Sequence, residues 1–374
     1  MDLHIAGQSP DRDERSAVDS VLGPIQAGKT ESFHLRQERP DRSQRHLLLP
    51  VLHAINSRIG WISPGALNYA CSRLNLPPAE AFGVADFYGL FSMTPRPRAV
   101  IHVCDDIACL IRGAPAICER LAGRLGPPGA AQPSSKLTWL RSPCLGLCDR
   151  APAALVSAAG PEPWECAMAP TTADSLLAAV DRPERKPEPP PVPASPSVPQ
   201  QGQAGLRLLR RVGRLQPESL QDHLAQGGYE ALRRAVELGP ERVIGEVIDS
   251  KLVGRGGAAF PAGRKWEAVY RARSSQPVRY LVCNADESEP GTFKDRVLME
   301  EDPYLLLESM TIAGLATGCE QGFLYIRGEY PLAFERLNHA VRQARHHGFL
   351  GKSRLTLDLS FDSEIRRGVG AYIC

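Results

Sequence analysis

Residues 181–205, DRPERKPEPPPVPASPSVPQQGQAG, crowd prolines into a stretch with almost no large side chain. Proline lacks a backbone N–H and has a fixed φ, so such a run joins neither a helix interior nor the middle of a sheet. Whatever this chain folds into must be built on either side of the run, which then serves as a semi-extended linker. At 374 residues the chain is long enough for two ordinary domains, or three. The divisions that follow are a loose arm over 1–45, rich in Arg, Asp, Glu, Ser and Gln, a first domain over 46–180, the linker at 181–205, and a second domain over 206–374.

Composition narrows the function. With 43% hydrophobic and 23% charged residues and a formal net charge of +2, the chain is globular. That balance gives no electrostatic case for nucleic acid or an anionic membrane surface. The basic stretch at 206–215, LRLLRRVGRL, is read as a solvated helix face or strand edge. The most apolar stretch, 304–317, is interrupted by Glu308 and is shorter than the roughly 20 residues a bilayer requires, so no transmembrane segment is expected. The N-terminus carries acids where a secretion signal has bases, which makes the cytoplasm the expected compartment. In a reducing compartment ten cysteines point to metal or redox chemistry wherever they cluster.

They cluster in two places. Helical periodicity runs from Leu47 to about residue 91, with Ser63-Pro64 and Pro77-Pro78 as helix starts. β-like runs follow at 98–104, 136–144 and 151–158. Cys104 and Cys109, in VCDDIACLIRG, and Cys144 and Cys148, in SPCLGLCDRAP, each follow one of these runs. Three readings compete: packing thiols, a structural zinc site, and an iron–sulfur cluster. Two tight pairs at strand ends argue against the first. The four-residue gap in the first pair is unusual for zinc knuckles and tolerated by iron–sulfur ligation. Cys71, Cys118, Cys166, Cys283 and Cys319 stand singly and are read as small apolar packing residues.

The second half alternates strand and helix, with strands expected at 278–283, 322–328 and 354–361 and helices at 303–318 and 331–347. That order implies a largely parallel sheet with a crevice at the strand C-termini. VGRGGAAFPAGRKWE, residues 253–267, is either a tight structural turn or a place where backbone amides approach a flat or phosphorylated ligand. It is neither a P-loop nor a Rossmann fingerprint. CNADESEPGTFKDR, residues 283–296, follows a strand and gathers Asp286, Glu287 and Glu289, which suit ribose hydroxyls or ring N–H groups. A solvated acidic turn is the alternative.

The quoted residues resemble known families. VCDDIAC and SPCLGLCDRAPA, with AFGVADFYGLFSMTP upstream, resemble the thioredoxin-like [2Fe–2S] ferredoxin domain of the 24 kDa-type subunit of respiratory complex I, over about residues 47–180. The resemblance implies that Cys104, Cys109, Cys144 and Cys148 ligate one [2Fe–2S] cluster. GRGGAAFPAGRKW, CNADESEPGTFKDR, YIRGEYP and GVGAYIC occur in order and resemble the FMN- and NADH-binding domain of the 51 kDa-type subunit, over about 206–374. The same module serves NAD-dependent formate dehydrogenases and soluble NAD-reducing hydrogenases. The implied fold is α/β: a helical segment plus a thioredoxin-like ferredoxin domain, the linker, then a Rossmann-like domain. The implied cofactor contacts are Gly254, Arg255, Gly256, Gly257, Phe260 and Lys265 in the turn, Asn284, Asp286, Glu287 and Glu289 in the acidic loop, and Tyr372. Phe260 is expected to stack on adenine. Ala259 departs from the family's glycine, and Ser288 departs toward the formate dehydrogenase and hydrogenase branch.

What the resemblance implies is a diaphorase-type oxidoreductase subunit that exchanges hydride between NAD(H) and FMN and passes single electrons to iron–sulfur clusters. Direct transfer between two rings requires no side-chain acid or base, so no catalytic residue is named. Fusion of the two modules gives first rank to a formate dehydrogenase β subunit, with a metal-containing α-type catalytic subunit and a further iron–sulfur subunit as partners. A hydrogenase diaphorase subunit or a complex I subunit is the alternative. A reading of another class is a non-catalytic [2Fe–2S] relay that has lost its flavin. In the family GAYIC runs on into a segment over the flavin and a [4Fe–4S] domain. Ending at Cys374, the chain is expected to be truncated, to bind FMN poorly by itself, to be inactive alone, and to leave any [4Fe–4S] cluster to the missing part.

Overall fold

The computed structural model describes residues 8–24, 43–130, 136–181, 185–188, 197–255, 257–275, 278–352 and 360–370. Helix α1 (Arg12–Leu22) opens with a capping box in which Asp11 and Glu14 each accept the other's backbone N–H at 2.8 Å. Its Ala17 and Val18 are buried in a core shared with α2 (Leu48–Ile59), α3 (Pro64–Leu74) and α4 (Pro78–Phe87). For residues 8–24 this corrects the expected loose arm, because two small apolar residues in a charged sequence suffice once a neighbouring helix covers them. α3 is bounded by local chemistry. Ser63 Oγ accepts from Ala66 N at 3.0 Å, Pro64 occupies the first turn, and Asn75 closes the helix at φ 54°.

A four-stranded sheet follows. β1 (Ala99–Cys104) leads into the short α5 (Ile107–Ile111) and then α6 (Ala114–Leu125). β2 (Leu137–Ser142), β3 (Ala154–Ala158), β4 (Trp164–Met168) and α7 (Ala173–Val180) complete the unit. The order is β2-β1-β3-β4, with β1 and β2 parallel and β3 antiparallel to both its neighbours. Cys104 pairs in register with Ser142. Two parallel strands that end together release their loops on the same edge, and this is what brings the second cysteine pair to the first. Cys166 on β4, Cys71 on α3 and Cys118 on α6 are all buried, as the packing reading expects.

The described parts of 181–205 are more than a spacer. Val198 is 2% exposed and packs with Val212 and Val297, Ser197 hydrogen-bonds Asp149, and Lys186 pairs with Glu335. Beyond it lie α8 (Leu220–Ala225), α9 (Glu230–Leu238), α10 (Pro240–Asp249) and α11 (Ala262–Arg271). Arg211, read as solvated, is buried and donates from Nε to Asp302 Oδ2 at 2.7 Å. The reason is non-local, since its partner is 91 residues away.

The second sheet is β5 (Tyr280–Ala285), β6 (Gln321–Ile326), β7 (Gly351–Lys352) and β8 (Ser360–Arg367), in the order β5-β6-β8-β7. β5, β6 and β8 are parallel, and Ala285, Ile326 and Arg367 lie in register, so their following loops share one edge. α12 (Lys294–Glu301), α13 (Pro303–Thr317) and α14 (Pro331–His346) link the strands. Most of the strand expected at 354–361 lies outside the described residues. β5 alternates rather than being wholly buried. Tyr280 and Val282 are exposed, while Cys283 is half-buried with its thiol pushed up to about 11 by burial. Val369 ends up in the core of the first four helices, where Leu90 N donates to its carbonyl at 3.2 Å.

Candidate redox site

β1 ends on Cys104, whose amide donates to Ala153 O at 3.0 Å, and Cys109 follows on α5. Cys144 and Cys148 flank a loop in which Gly146, at φ 70°, turns its amide onto Cys144 Sγ at 3.3 Å. The four thiols form one chain of contacts. Cys104 is hydrogen-bonded to Cys109 and Cys144, and Cys144 Sγ lies 3.4 Å from Cys148 Sγ. Cys104, Cys109 and Cys144 are buried and Cys148 is half-buried. Protons are shared unevenly along the chain. Donation to the neighbouring thiols pushes Cys104 up, and donation to Cys144 pushes Cys148 up. Acceptance from Cys104 holds Cys109 and Cys144 low, and Cys144 is also helped by Cys148, the Gly146 amide and the Arg327 charge. Four thiols in contact in a largely buried pocket suit metal ligation. Four cysteines are the donor set of a [2Fe–2S] cluster, and they fit it here. His102, two residues before Cys104, is buried without a hydrogen-bond partner, and burial lowers it to about 3, so it stays neutral.

The acidic loop occupies the strand edge of the second sheet. Glu287, 3% exposed, points inward, and its carboxylate accepts from Asp295 N at 2.8 Å and Arg296 N at 3.0 Å, which caps the start of α12. Asn284 and Glu289 are exposed. Asn284 Oδ1 accepts from Asp286 N at 3.1 Å, and Asp286 accepts from Ser288 Oγ at 2.6 Å. The structure thus separates one inward carboxylate from the more open groups.

The glycine-rich turn is closed by its own backbone. Gly254 N donates to Phe260 O at 2.9 Å, and Val253 bridges Pro261. Gly254, Arg255, Gly257, Phe260 and Lys265 are all exposed. Gly257 has φ 89°, and no atom lies within 4 Å of where a Cβ would stand. Free space beside a glycine backbone, two cations and an exposed aromatic ring fit a phosphorylated, planar ligand. Ala259, where the family has glycine, is held at φ 47°. Gly256 and Tyr372 lie outside the described residues.

The two loop systems touch, through residues that the sequence reading left without a role. Gly291 N donates to Cys148 Sγ at 3.3 Å. Arg327, one residue past β6 and 3% exposed, donates to Cys144 O and to Glu287 O, each at 2.5 Å. Arg296 grips both carboxylate oxygens of Asp149 at 2.8 Å and Glu300 at 2.9 Å, with Arg150 beside Glu300 at 3.5 Å. Tyr330 packs over Gly146 and holds Glu287 through its hydroxyl. YIRGEYP and the Glu-Pro-Gly turn were visible as motifs, but no local pattern says what they face.

A family model described as the thioredoxin-like [2Fe-2S] ferredoxin matches residues 34–179, and one described as the Nuo51 FMN-binding domain matches residues 247–374. A subunit of the NADH-quinone oxidoreductase of Aquifex aeolicus is 46% identical over 167 residues, which is 45% of this chain and 38% of that protein. NAD-reducing hydrogenase HoxS subunit alpha of Cupriavidus necator is 32% identical over 348 residues, 89% of this chain and 54% of that protein. The crystal structure of NAD+-reducing [NiFe]-hydrogenase in the air-oxidized state aligns with a TM-score of 0.65 at 28% identity, covering 88% of this chain and 52% of that one. The chain spans about half or less of the length of these relatives. It joins, in one polypeptide, a thioredoxin-like [2Fe–2S] ferredoxin domain and a Nuo51-type FMN-binding domain.

Proposed function

We propose that the chain is the electron-converting part of an NAD-linked oxidoreductase of the diaphorase type. The glycine-rich turn and the acidic loop would hold FMN and NAD(H), and Cys104, Cys109, Cys144 and Cys148 would hold a [2Fe–2S] cluster, groups that would supply hydride exchange and single-electron transfer. The observation that carries this reading is the direct junction between the acidic loop and the cysteine loops, made by Gly291 N–H on Cys148 Sγ and by Arg327. Bound FMN supplies the step from a two-electron to a one-electron carrier. The chain supplies binding and orientation. Arg255, Lys265 and the Gly257 amide would meet phosphate, with Gly256 a further candidate, while the Gly254 N–H is taken by Phe260 O and shapes the turn, and Phe260 offers a ring face for stacking. Asn284, Asp286 and Glu289 accept from ribose hydroxyls, Glu287 shapes their loop from below, and Tyr372 completes the set. No side chain has to move a proton.

A relative and two solved structures that match across both halves are NAD-reducing hydrogenases, which favours a hydrogenase-type diaphorase subunit as the parent. Ser288 and the fused domains equally suit the β subunit of an NAD-dependent formate dehydrogenase, the second reading. Either parent brings a metal-containing catalytic subunit and a further iron–sulfur subunit as partners. Among the described residues no helix is long and apolar enough to cross a membrane. The chain, purified anaerobically, is expected to show the EPR signal of a one-electron-reduced [2Fe–2S] cluster, lost in Cys104→Ser. Released FMN fluorescence and NADH–ferricyanide activity test the flavin half. Cluster without flavin would leave the electron-relay reading, and bound zinc with neither cofactor would overturn both. Extracts of a deletion strain, assayed for hydrogen-driven and formate-driven NAD+ reduction, decide the parent complex.

A further inference from the structure

Neither a nucleotide site nor a four-cysteine site by itself calls for the contacts that join them. Residues Glu289, Pro290, Gly291 and Thr292 form a turn closed by Thr292 N on Glu289 O at 3.0 Å. Proline in the second place and Gly291 at φ 84° in the third are the marks of a type II turn. Such a turn uses the first carbonyl and the fourth amide. The Gly291 N–H is left over, and it donates to Cys148 Sγ. Arg327 adds a buried positive charge on the other side of the cysteine loop. One guanidinium nitrogen holds Cys144 O and Glu329 Oε1, the latter at 2.6 Å, and the other holds Glu287 O. A buried guanidinium beside a cluster ligand is expensive unless negative groups share the site, and Glu329 at 2.6 Å is one such group, to which a reduced cluster would add another.

We propose that Arg327, with the Gly291 amide, is the positioning element that sets the reduction potential of the cluster held by the four cysteines. The proposal rests on the [2Fe–2S] reading of that quartet. The equilibrium concerned is one electron going from reduced flavin to the cluster, with no bond made or broken and no proton moved. Reduction adds one negative charge, so an N–H donated to a ligand sulfur and a nearby guanidinium both favour the reduced form. Removing the guanidinium lowers the potential, and removing its counter-charge raises it.

The test uses the full 374-residue chain, reconstituted anaerobically with iron and sulfide and titrated with EPR detection of the reduced cluster. Arg327→Gln is expected to weaken reduction about tenfold, a fall of about 59 mV for a one-electron couple. Glu329→Gln, nearly isosteric, is expected to shift the potential upward. The exposed Arg120→Gln serves as the control and leaves it unchanged. Opposite shifts support the proposal, whereas no shift, or shifts in the same direction, overturn it. If Arg327→Gln loses its iron, Glu329→Gln decides alone, because an unchanged or lowered potential there is a refutation. No [2Fe–2S] signal in the unaltered chain overturns the cluster reading itself, a distinguishable failure.

Discussion

Gly146 stands between two cluster cysteines at φ 70°, directly beneath Tyr330. A methyl group there would lie 2.5 Å from Tyr330 Cε1 and 2.7 Å from Cζ, and closer still to the hydroxyl. Tyr330 has no room to retreat. It is 1% exposed, its ring lies 5.0 Å from the Arg327 guanidinium, and its hydroxyl is tied to Glu287. In Gly146→Ala the left-handed backbone costs about 1–2 kcal/mol. Overpacking against a fixed ring adds about 1–3 kcal/mol. A stiffer unfolded chain returns about 0.4–1 kcal/mol. The net expectation is a loss of roughly 2–4 kcal/mol, read as a lower urea midpoint together with loss of iron from the cysteine loop. The two contributions can be separated. Tyr330→Leu removes the ring but leaves the φ strain, so the double variant should recover only the overpacking part, a favourable coupling of about 1–3 kcal/mol. Gly146→Ala within about 0.5 kcal/mol of the parent, the range of an ordinary surface change, or a double variant without coupling, would refute the argument that this loop is wedged against the second domain.

Arg296→Met should destabilise by about 3–5 kcal/mol, since it leaves the buried Asp149 and Glu300 carboxylates with only the longer Arg150 contacts, at 3.3 and 3.5 Å, as charged partners. Its deficit should shrink on acidification, as protonation neutralises Glu300, whose carboxyl burial pushes above its ordinary value, and a deficit independent of pH in thermal melts would contradict this. His223, fully buried between Asp302 and Glu308 with Arg211, Tyr229 and Tyr304 around it, is raised above its ordinary value of 6.5 by those carboxylates against the pull of burial. Its contribution is therefore whole below pH 6.5 and lost as pH rises through the elevated value. Asp302 and Glu308 are lowered, so theirs is lost in the opposite direction, as pH falls below about 4. His223→Gln should flatten the alkaline decline in the unfolding midpoint, and an unchanged decline would count against it. Ala259→Gly should stabilise by up to about 1 kcal/mol, because relief of a left-handed alanine outweighs the added chain entropy; a lower melting temperature would show that the strain is not there.

Much of the architecture was open to a local reading. The helices expected at 303–318 and 331–347 coincide with α13 and α14, because proline in the first turn and glycine beyond the last are chemical signals within the segment itself. The cysteine pairs fell at strand ends as expected, since β1 terminates on Cys104 and β2 two residues before Cys144. Where the reading missed, the partner was remote. α1 looked like a charged arm until α2 covered Ala17 and Val18, and the proline run looked inert until Val198 met Val297. Arg211 looked solvated until Asp302 reached it. Glu287 could not be told from Glu289 by sequence, because both are acids in one loop and only the start of α12 makes one of them a cap.

By itself, then, the sequence determined which residue types are available and which elements they build: two cysteine pairs, a glycine turn, an acidic loop, and two bodies separated by proline. Those follow from backbone propensity and spacing, which act over a few residues. Only the tertiary structure decided that the acidic loop would lie against the cysteine loops, with Gly291 on Cys148 and Arg327 on Cys144. That contact joins residues 143 and 183 positions apart. It is set by where the parallel strands of each sheet, β1 with β2 and β5 with β6 and β8, end and by buried charges that must find partners, and neither condition is written in any short stretch of the chain.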